Sequence, residues 1–483
     1  MSAKRRPLPL LLALSALVLL PAVAPAATVV ILNNDPAGTG LNDPTPATPV
    51  AGNMGMTLGE QRVNVLERAA EIWADQIISD VPIVIRAQTA DQACDATSAV
   101  LASAGAAVVF QNFANAPLAN TWYHGALANA IAGKDLDPAE PDITTQFNIN
   151  LDADPNCLGG DGWYYGFDFN QGDQTDLLAV MLHEYGHGLG FANFINEASG
   201  ALFNGSPDIY STFTRDLETG EDWNDMTNAE RVASAINDPD VVWTGPRVTS
   251  VIDGFLTNPN NLVINTPAAI AGNFAAQGAS FGPAVPQMGI TGNVVLATDG
   301  VGETNDGCEA LTNGAAINGN IALIDRGNCN FTVKVINAQA VGATSVLIAN
   351  NVATGLPPMG GSDPAVTIPS IGIAQAVGTS IKGELPGVNV TLGYDPTQLA
   401  GANSGFLRVH APNPVALGSS ISHWTIDATP SLLMEPSITP DLTDDVDLTL
   451  EHFDDIGWTL VEIFSDGFES GDCGSWSVFF GGC

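Results

Sequence analysis

The segment His183-Glu184-Tyr185-Gly186-His187, running on into Gly188-Leu189-Gly190-Phe191, leaves the backbone little choice. A helix from about Asp173 to Leu189 would be stopped by Gly188 and Gly190. Two histidines four apart on that helix lie on the same face, one turn apart. Their imidazole nitrogens then point to a place where a single Zn²⁺ can accept both, with Glu184 beside them to handle protons. The bland alternative is a helix whose histidines cap or line a core. A zinc site needs a third protein ligand, which the rest of the sequence has to supply.

The chain opens with Lys4-Arg5-Arg6, an apolar run from Leu8 to about Val23, and Ala24-Pro25-Ala26. This pattern predicts a secretory signal peptide over residues 1–26 and an exported, extracellular mature protein. No later stretch is apolar for the roughly eighteen residues a membrane span needs, so no stable membrane insertion is expected. Six cysteines in an exported chain suit disulfides better than a thiolate metal site. Local pairing would join Cys308 with Cys329, Cys473 with Cys483 and, by elimination, Cys94 with Cys157. The sequence alone leaves about fifteen connectivities open.

With 14 basic and 52 acidic side chains the net charge is -38. Nucleic acid and anionic membrane surfaces both want Lys and Arg, so neither is expected as a partner. The simplest use of the acid is a solubility coat. The other is calcium: Asp152, Asp154, Asp161, Asp168 and Asp173 crowd the stretch ahead of the motif helix, and hard oxygens suit Ca²⁺.

Along the chain, Gly59 to Ile78 repeats apolar residues at helical spacing (Val63, Leu66, Ala70, Trp73, Ile77) and predicts an amphipathic helix. Val81 to Arg86 and Ala107 to Phe110 read as strands. Ile143 to Leu151 alternates and suits an edge strand, along which a peptide could lie as an added strand. The fold class expected is α+β. From about Gly254 charges thin out, and Ile321 to Asp325, Ser345 to Ala349 and Ile368 to Ile373 read as strands, with a helix over Val333 to Val341. Here Asp325-Arg326-Gly327-Asn328-Cys329-Asn330-Phe331 and Gly342-Ala343-Thr344-Ser345-Val346-Leu347-Ile348-Ala349-Asn350 resemble the protease-associated (PA) domain. The resemblance covers roughly residues 262–398 and implies a noncatalytic α/β insert that binds or gates substrates. The tail Asp466-Gly467-Phe468-Glu469-Ser470-Gly471-Asp472 is similar to short tails of some exported bacterial proteins.

The third ligand is where the local pattern breaks. In the commonest metzincin motif, H-E-x-x-H-x-x-G-x-x-H, the third histidine position falls on Asn193, a poor zinc ligand. Glu197 and Asp208 are nearby acids that could coordinate instead. Beyond the insert, Ser422-His423-Trp424, then Leu433-Met434-Glu435-Pro436, then Thr449-Leu450 through Asp455-Ile456-Gly457-Trp458 follow one another. In order and spacing these resemble the leishmanolysin-type metzincins, in which an insertion separates H-E-x-x-H from the third histidine. The resemblance implies His183, His187 and His423 as ligands, Glu184 as catalytic base, and Met434 as an apolar floor beneath the metal that does not coordinate it. His124, His410 and His452 match no ligand position.

The resulting organisation is a metzincin-like zincin catalytic domain in two parts, residues 27–255 and 401–463. A PA domain at 256–400 separates them and a tail follows at 464–483. The implied function is a secreted zinc metalloendopeptidase that hydrolyses peptide bonds in protein or peptide substrates through a zinc-bound water, with Glu184 as general base. The rival expectation is a noncatalytic secreted binding protein that retains the metzincin fold and the PA domain.

Overall fold

The computed structural model describes residues 26–461, except positions 301 and 440. All but the last residue of the expected signal peptide, the C-terminal tail and the Cys473–Cys483 pairing lie outside the described residues.

The first sheet has four strands: β1 (Val29–Asn33), β2 (Ile83–Ala90), β3 (Ala102–Ala106) and β4 (Ile143–Asn148). Their order is β1-β2-β4-β3, with β1, β2 and β4 parallel and β3 antiparallel. Two helices support it. In α1 (Leu58–Ala74), Thr57 caps the first turn by accepting from the Glu60 N–H, and Val65, Leu66, Ala69 and Trp73 form the buried stripe. The helix stops short of Ile78, because Ile77–Ile78 leaves it to pair with Thr459–Leu460 near the far end of the chain. The motif helix α2 (Leu177–Leu189) begins at Asp176, whose carboxylate accepts from the Leu178 and Ala179 N–H groups. It packs against β4 so closely at Gly188 that a Cβ there would lie 2.5 Å from Ile143 Cγ2.

Two strand expectations need correction. Ile143–Leu151 is not an edge strand: the strand ends at Asn148, lies between β2 and β3, and gives way to a helical turn at Asn150–Ala153. Its alternation comes from burial of Ile143, Thr145 and Phe147 against the helices rather than from an open edge. The edge beyond β4 is β3, whose sequence Ala-Ser-Ala-Gly-Ala carries no apolar–polar pattern to betray it. The strand read at Ala107–Phe110 shrinks to Val109–Phe110, paired with Tyr123–His124.

A second sheet draws its strands from both sides of the insert. Val241–Trp243 pairs with Thr214–Asp216 on one side and with Phe406–Arg408 on the other. One hydrophobic core likewise takes residues from Ala27 to Leu256 and again from Leu407 to Trp458. The final helix α3 (Thr449–Ile456) belongs to it, and Trp458 Nε1 donates to Leu189 O at the end of α2.

Between these parts the chain forms a closed barrel with cores of its own. Its strands run in the order Asn260–Thr266, Gly272–Gly278, Ser370–Ile373, Ser345–Ala349, Ile321–Asp325, Ile290–Leu296, Asn389–Tyr394. The strands at 321, 345 and 370 are parallel neighbours, buried as continuous apolar runs. Entry and exit lie side by side: Ala400 N–H donates to Thr257 O (2.8 Å) and Asp395 N–H to Pro259 O (2.9 Å). Disulfides join Cys94 to Cys157 and Cys308 to Cys329.

Candidate metal centre

α2 presents His183 and His187 on one face, and the loop before Trp424 brings His423 to them from the other side of the barrel. All three are buried. Their Nε2 atoms form a nearly equilateral triangle: 3.0 Å between His187 and His183, and 3.2 Å from each of these to His423.

The tautomers follow from what lies behind each ring. His183 Nδ1 is 2.7 Å from Leu433 O, His187 Nδ1 is 2.7 Å from Phe191 O, and His423 Nδ1 is 2.8 Å from Ser419 O. A carbonyl oxygen only accepts, so each Nδ1 carries the hydrogen and each neutral ring turns a bare Nε2 lone pair inward. Burial keeps the rings neutral, pushing His183 down to about 4, His187 to about 3 and His423 well below the ordinary histidine value. Three lone pairs converging in a dry site repel one another unless a cation lies between them. Tetrahedral Zn–N bonds of about 2.0–2.1 Å put ligand nitrogens roughly 3.3 Å apart. The triangle is within a few tenths of an ångström of that, and the donor set fits zinc.

The Glu184 carboxyl accepts from the Ala104 N–H of β3. It is buried, which pushes its pKa up to about 8 against the opposing pull of that N–H. Hydrogen bonds to β4 alternate along β3: Ala107 N–H donates to Asp142 O, and Leu101 O accepts from Asn148 N–H. Ala102, Ala104 and Ala106 therefore turn their amides to the open edge. Met434 is fully buried with its thioether against α2 at Gly186, where a Cβ would lie 2.6 Å from Sδ.

The alternative ligands lie elsewhere. Asp208 is buried but accepts from the N–H groups of Phe194 (2.9 Å) and Ser211 (2.7 Å), so it fixes the loop after α2. Glu197 accepts from Asn193 Nδ2 at 2.9 Å. Among the described residues, neither converges with the histidines. His124 and His452 are buried outside the triangle, His452 among Phe191, Tyr210 and Trp243, and His410 donates its backbone N–H to His423 O.

The five acids suggested for calcium form no convergent group, and three of them are engaged in local contacts. Asp152 accepts from Arg62 Nη2 (2.8 Å) and Tyr165 Oη (2.5 Å), Asp168 from Tyr164 Oη, and Asp154 from its own turn. The other convergent acidic group among the described residues is Asp299, Asp306 and Glu309 in the barrel. The buried Lys334 ammonium, on Asp306 O, supplies positive charge there.

Sequence reasoning missed several supports of the site. The carbonyls behind the histidines and the Ala104 N–H are backbone groups with no sequence signal. Asp447 was also missed: one carboxylate oxygen accepts from the Leu433 N–H, the other from Thr449 N–H and Oγ1 at the start of α3. Its only signal is an ordinary helix-capping pattern, Asp447-Leu448-Thr449.

Comparison with known proteins finds likeness for part of the chain. Vacuolar-sorting receptor 1 of Pisum sativum is 31% identical over 169 residues, 32% of this chain and 27% of that protein. Signal peptide peptidase-like 2 of Arabidopsis thaliana is 46% identical over 46 residues, 10% of this chain and 8% of that one. The chain thus spans about a quarter or less of the length of these curated relatives. Among solved structures, a zinc aminopeptidase from Bacillus subtilis is similar at 24% identity over 31% of this chain and 36% of that one. Its TM-score is 0.22, too low to bear on the fold around the histidines. The sequence profile of the PA domain matches residues 290–381, which cover the barrel strands at 290, 321, 345 and 370 together with the helix at 331–340. The barrel inserted between the second and third histidines contains a PA domain.

Proposed function

We propose that this chain is a zinc-dependent endopeptidase of the leishmanolysin-like metzincin type, its catalytic domain split by the PA domain and completed only when His423 joins His183 and His187. The observation that carries the reading is the triangle of three bare Nε2 atoms, each backed by a carbonyl on Nδ1. A zinc ion held there supplies Lewis acidity and makes a water molecule acidic enough to ionise near neutral pH.

The chain's own groups do the rest. Glu184 is the neighbour of the first ligand, and its buried carboxylate is the group that would take a proton during attack on a peptide carbonyl and pass it to the departing amine. The Ala104 N–H fixes that carboxylate beside the open edge of β3. A peptide added as a strand along β3 would use the amides of Ala102 and Ala106 and bring its backbone past Glu184. Burial excludes bulk water from the three imidazoles, and the carbonyls behind them hold the rings in the tautomer that leaves Nε2 free.

A noncatalytic binding protein with the same fold is the rival, favoured by the likeness to a protein named as a sorting receptor. Glu184 argues against it, since a structural zinc site has no need of a buried base. Purified protein should hydrolyse a casein-like substrate, lose that activity to a zinc chelator and regain it with Zn²⁺. Glu184→Gln should lower turnover by at least about a thousandfold while the zinc content stays at the wild-type level. Chelator-resistant hydrolysis, or full activity in the variant, would contradict the proposal.

A further inference from the structure

A third ligand that arrives 236 residues after the second has to be fixed to the metal helix by contacts rather than by the chain. We propose that Asn193 and Ser422 form that fixture: a positioning pair that ties the His423 loop to the segment leaving α2. The inference rests on the reading of His183, His187 and His423 as zinc ligands.

Asn193 stands where the local motif would have put a histidine, and its side chain has other business. The Ile195 N–H donates to Asn193 Oδ1 at 2.8 Å, which settles the orientation of the amide and turns Nδ2 outward. That Nδ2 donates to Ser422 Oγ at 3.0 Å and to Glu197 Oε1 at 2.9 Å. The Asn193 backbone N–H donates to the same Ser422 Oγ at 3.1 Å. One hydroxyl thus accepts twice from one residue, across a sequence separation of 229.

The pair has a ligand on either side. Two residues before Asn193, Phe191 O accepts the hydrogen of His187 Nδ1; one residue after Ser422 comes His423. A short route therefore runs from the second ligand through Phe191, Asn193 and Ser422 to the third. A second tie, Tyr210 Oη to Ile421 O at 2.6 Å, anchors the same loop from below. Loss of either partner in the Asn193–Ser422 pair frees His423 to swing off the triangle while His183 and His187, held by α2, stay in place.

The test is the rate of zinc release into excess chelator, measured on the full chain together with the thermal midpoint of the metal-free protein. Asn193→Ala and Ser422→Ala should each speed release at least about tenfold. The double variant should be no faster than the quicker single, because the two residues act as one unit. Ser422→Thr keeps the hydroxyl and should restore slow release. If Ser422→Ala fails to fold, Ser422→Cys keeps the volume with a weaker acceptor and should show the faster release. Unchanged release with a lowered midpoint would make the pair an ordinary structural contact and overturn the inference. So would independent, additive effects. A wild-type protein that holds no zinc would instead overturn the reading of the three histidines.

Discussion

At the scale of single residues, the three histidines and Glu184 were chosen by chemistry that the sequence states openly. Spacing alone puts His183 and His187 together, because helix geometry repeats every 3.6 residues. His423 could be named only through motifs beyond the insert, since no local rule links positions so far apart. What stayed invisible were backbone partners: Leu433 O behind His183 is 250 residues away and carries no side-chain signature. The glycines of the motif have a packing role as well as a stopping one. Gly190, at φ 150°, lets the chain leave α2, and Gly188 admits Ile143. Gly188→Ala should therefore destabilise the protein by about 1–3 kcal/mol through overpacking, because Ile143 is fully buried and has nowhere to go. Chemical denaturation of the two proteins measures it, and an unchanged midpoint would mean that β4 and α2 are less tightly packed.

At the scale of elements, the main misreading concerned the strand that borders the site. Alternation marked Ile143–Leu151 as half-exposed, but alternation reports which face is buried and not whether a neighbour pairs with the backbone. The true edge, β3, is made of small residues that leave room beside Glu184 and no pattern to read. If substrate adds to that edge, Ala106→Pro should raise KM at least about tenfold with zinc content unchanged. Proline there removes an outward amide without breaking a bond to β4. Steady-state kinetics on one peptide decide this; an unaltered KM would move the substrate off β3. At the other end of the site, the residues flanking α3 tie it to the motif helix, Trp458 directly through Leu189 O and Asp447 by way of Leu433, whose carbonyl backs His183.

Across the whole molecule, the core that holds α2 is assembled from both sides of the PA domain, so the three histidines meet only in the complete fold. The α+β class and the PA domain were legible in the sequence; Cys308–Cys329 was suggested by its short spacing, whereas Cys94–Cys157 was reached only by elimination, and both disulfides are formed. The shared sheet of Thr214–Asp216, Val241–Trp243 and Phe406–Arg408 was not, because three-residue strands carry too little pattern. Burial of ionisable groups gives the metal-free protein a characteristic pH response. Glu184 and Glu435 are pushed up to about 8 by burial, above their ordinary 4.5. An acid raised on folding contributes stability that is fully present below about pH 4.5 and is lost as the pH climbs toward 8. The buried histidines act in the opposite sense, since depressed values cost stability only as pH falls below about 6.5. Above that pH their contribution is constant, so the carboxyls govern. The chelator-treated protein should melt at a lower temperature at pH 8 than at pH 6.5; a higher midpoint at pH 8 would contradict this balance.

The most direct measurement is the metal content of the purified chain and of His423→Ala, each after dialysis against zinc-free buffer. About one zinc per wild-type chain and essentially none in the variant are expected, because two imidazoles on one helix turn hold the ion far more weakly than three. Equal zinc in both proteins would remove His423 from the site and, with it, the claim that the centre is built across the insert.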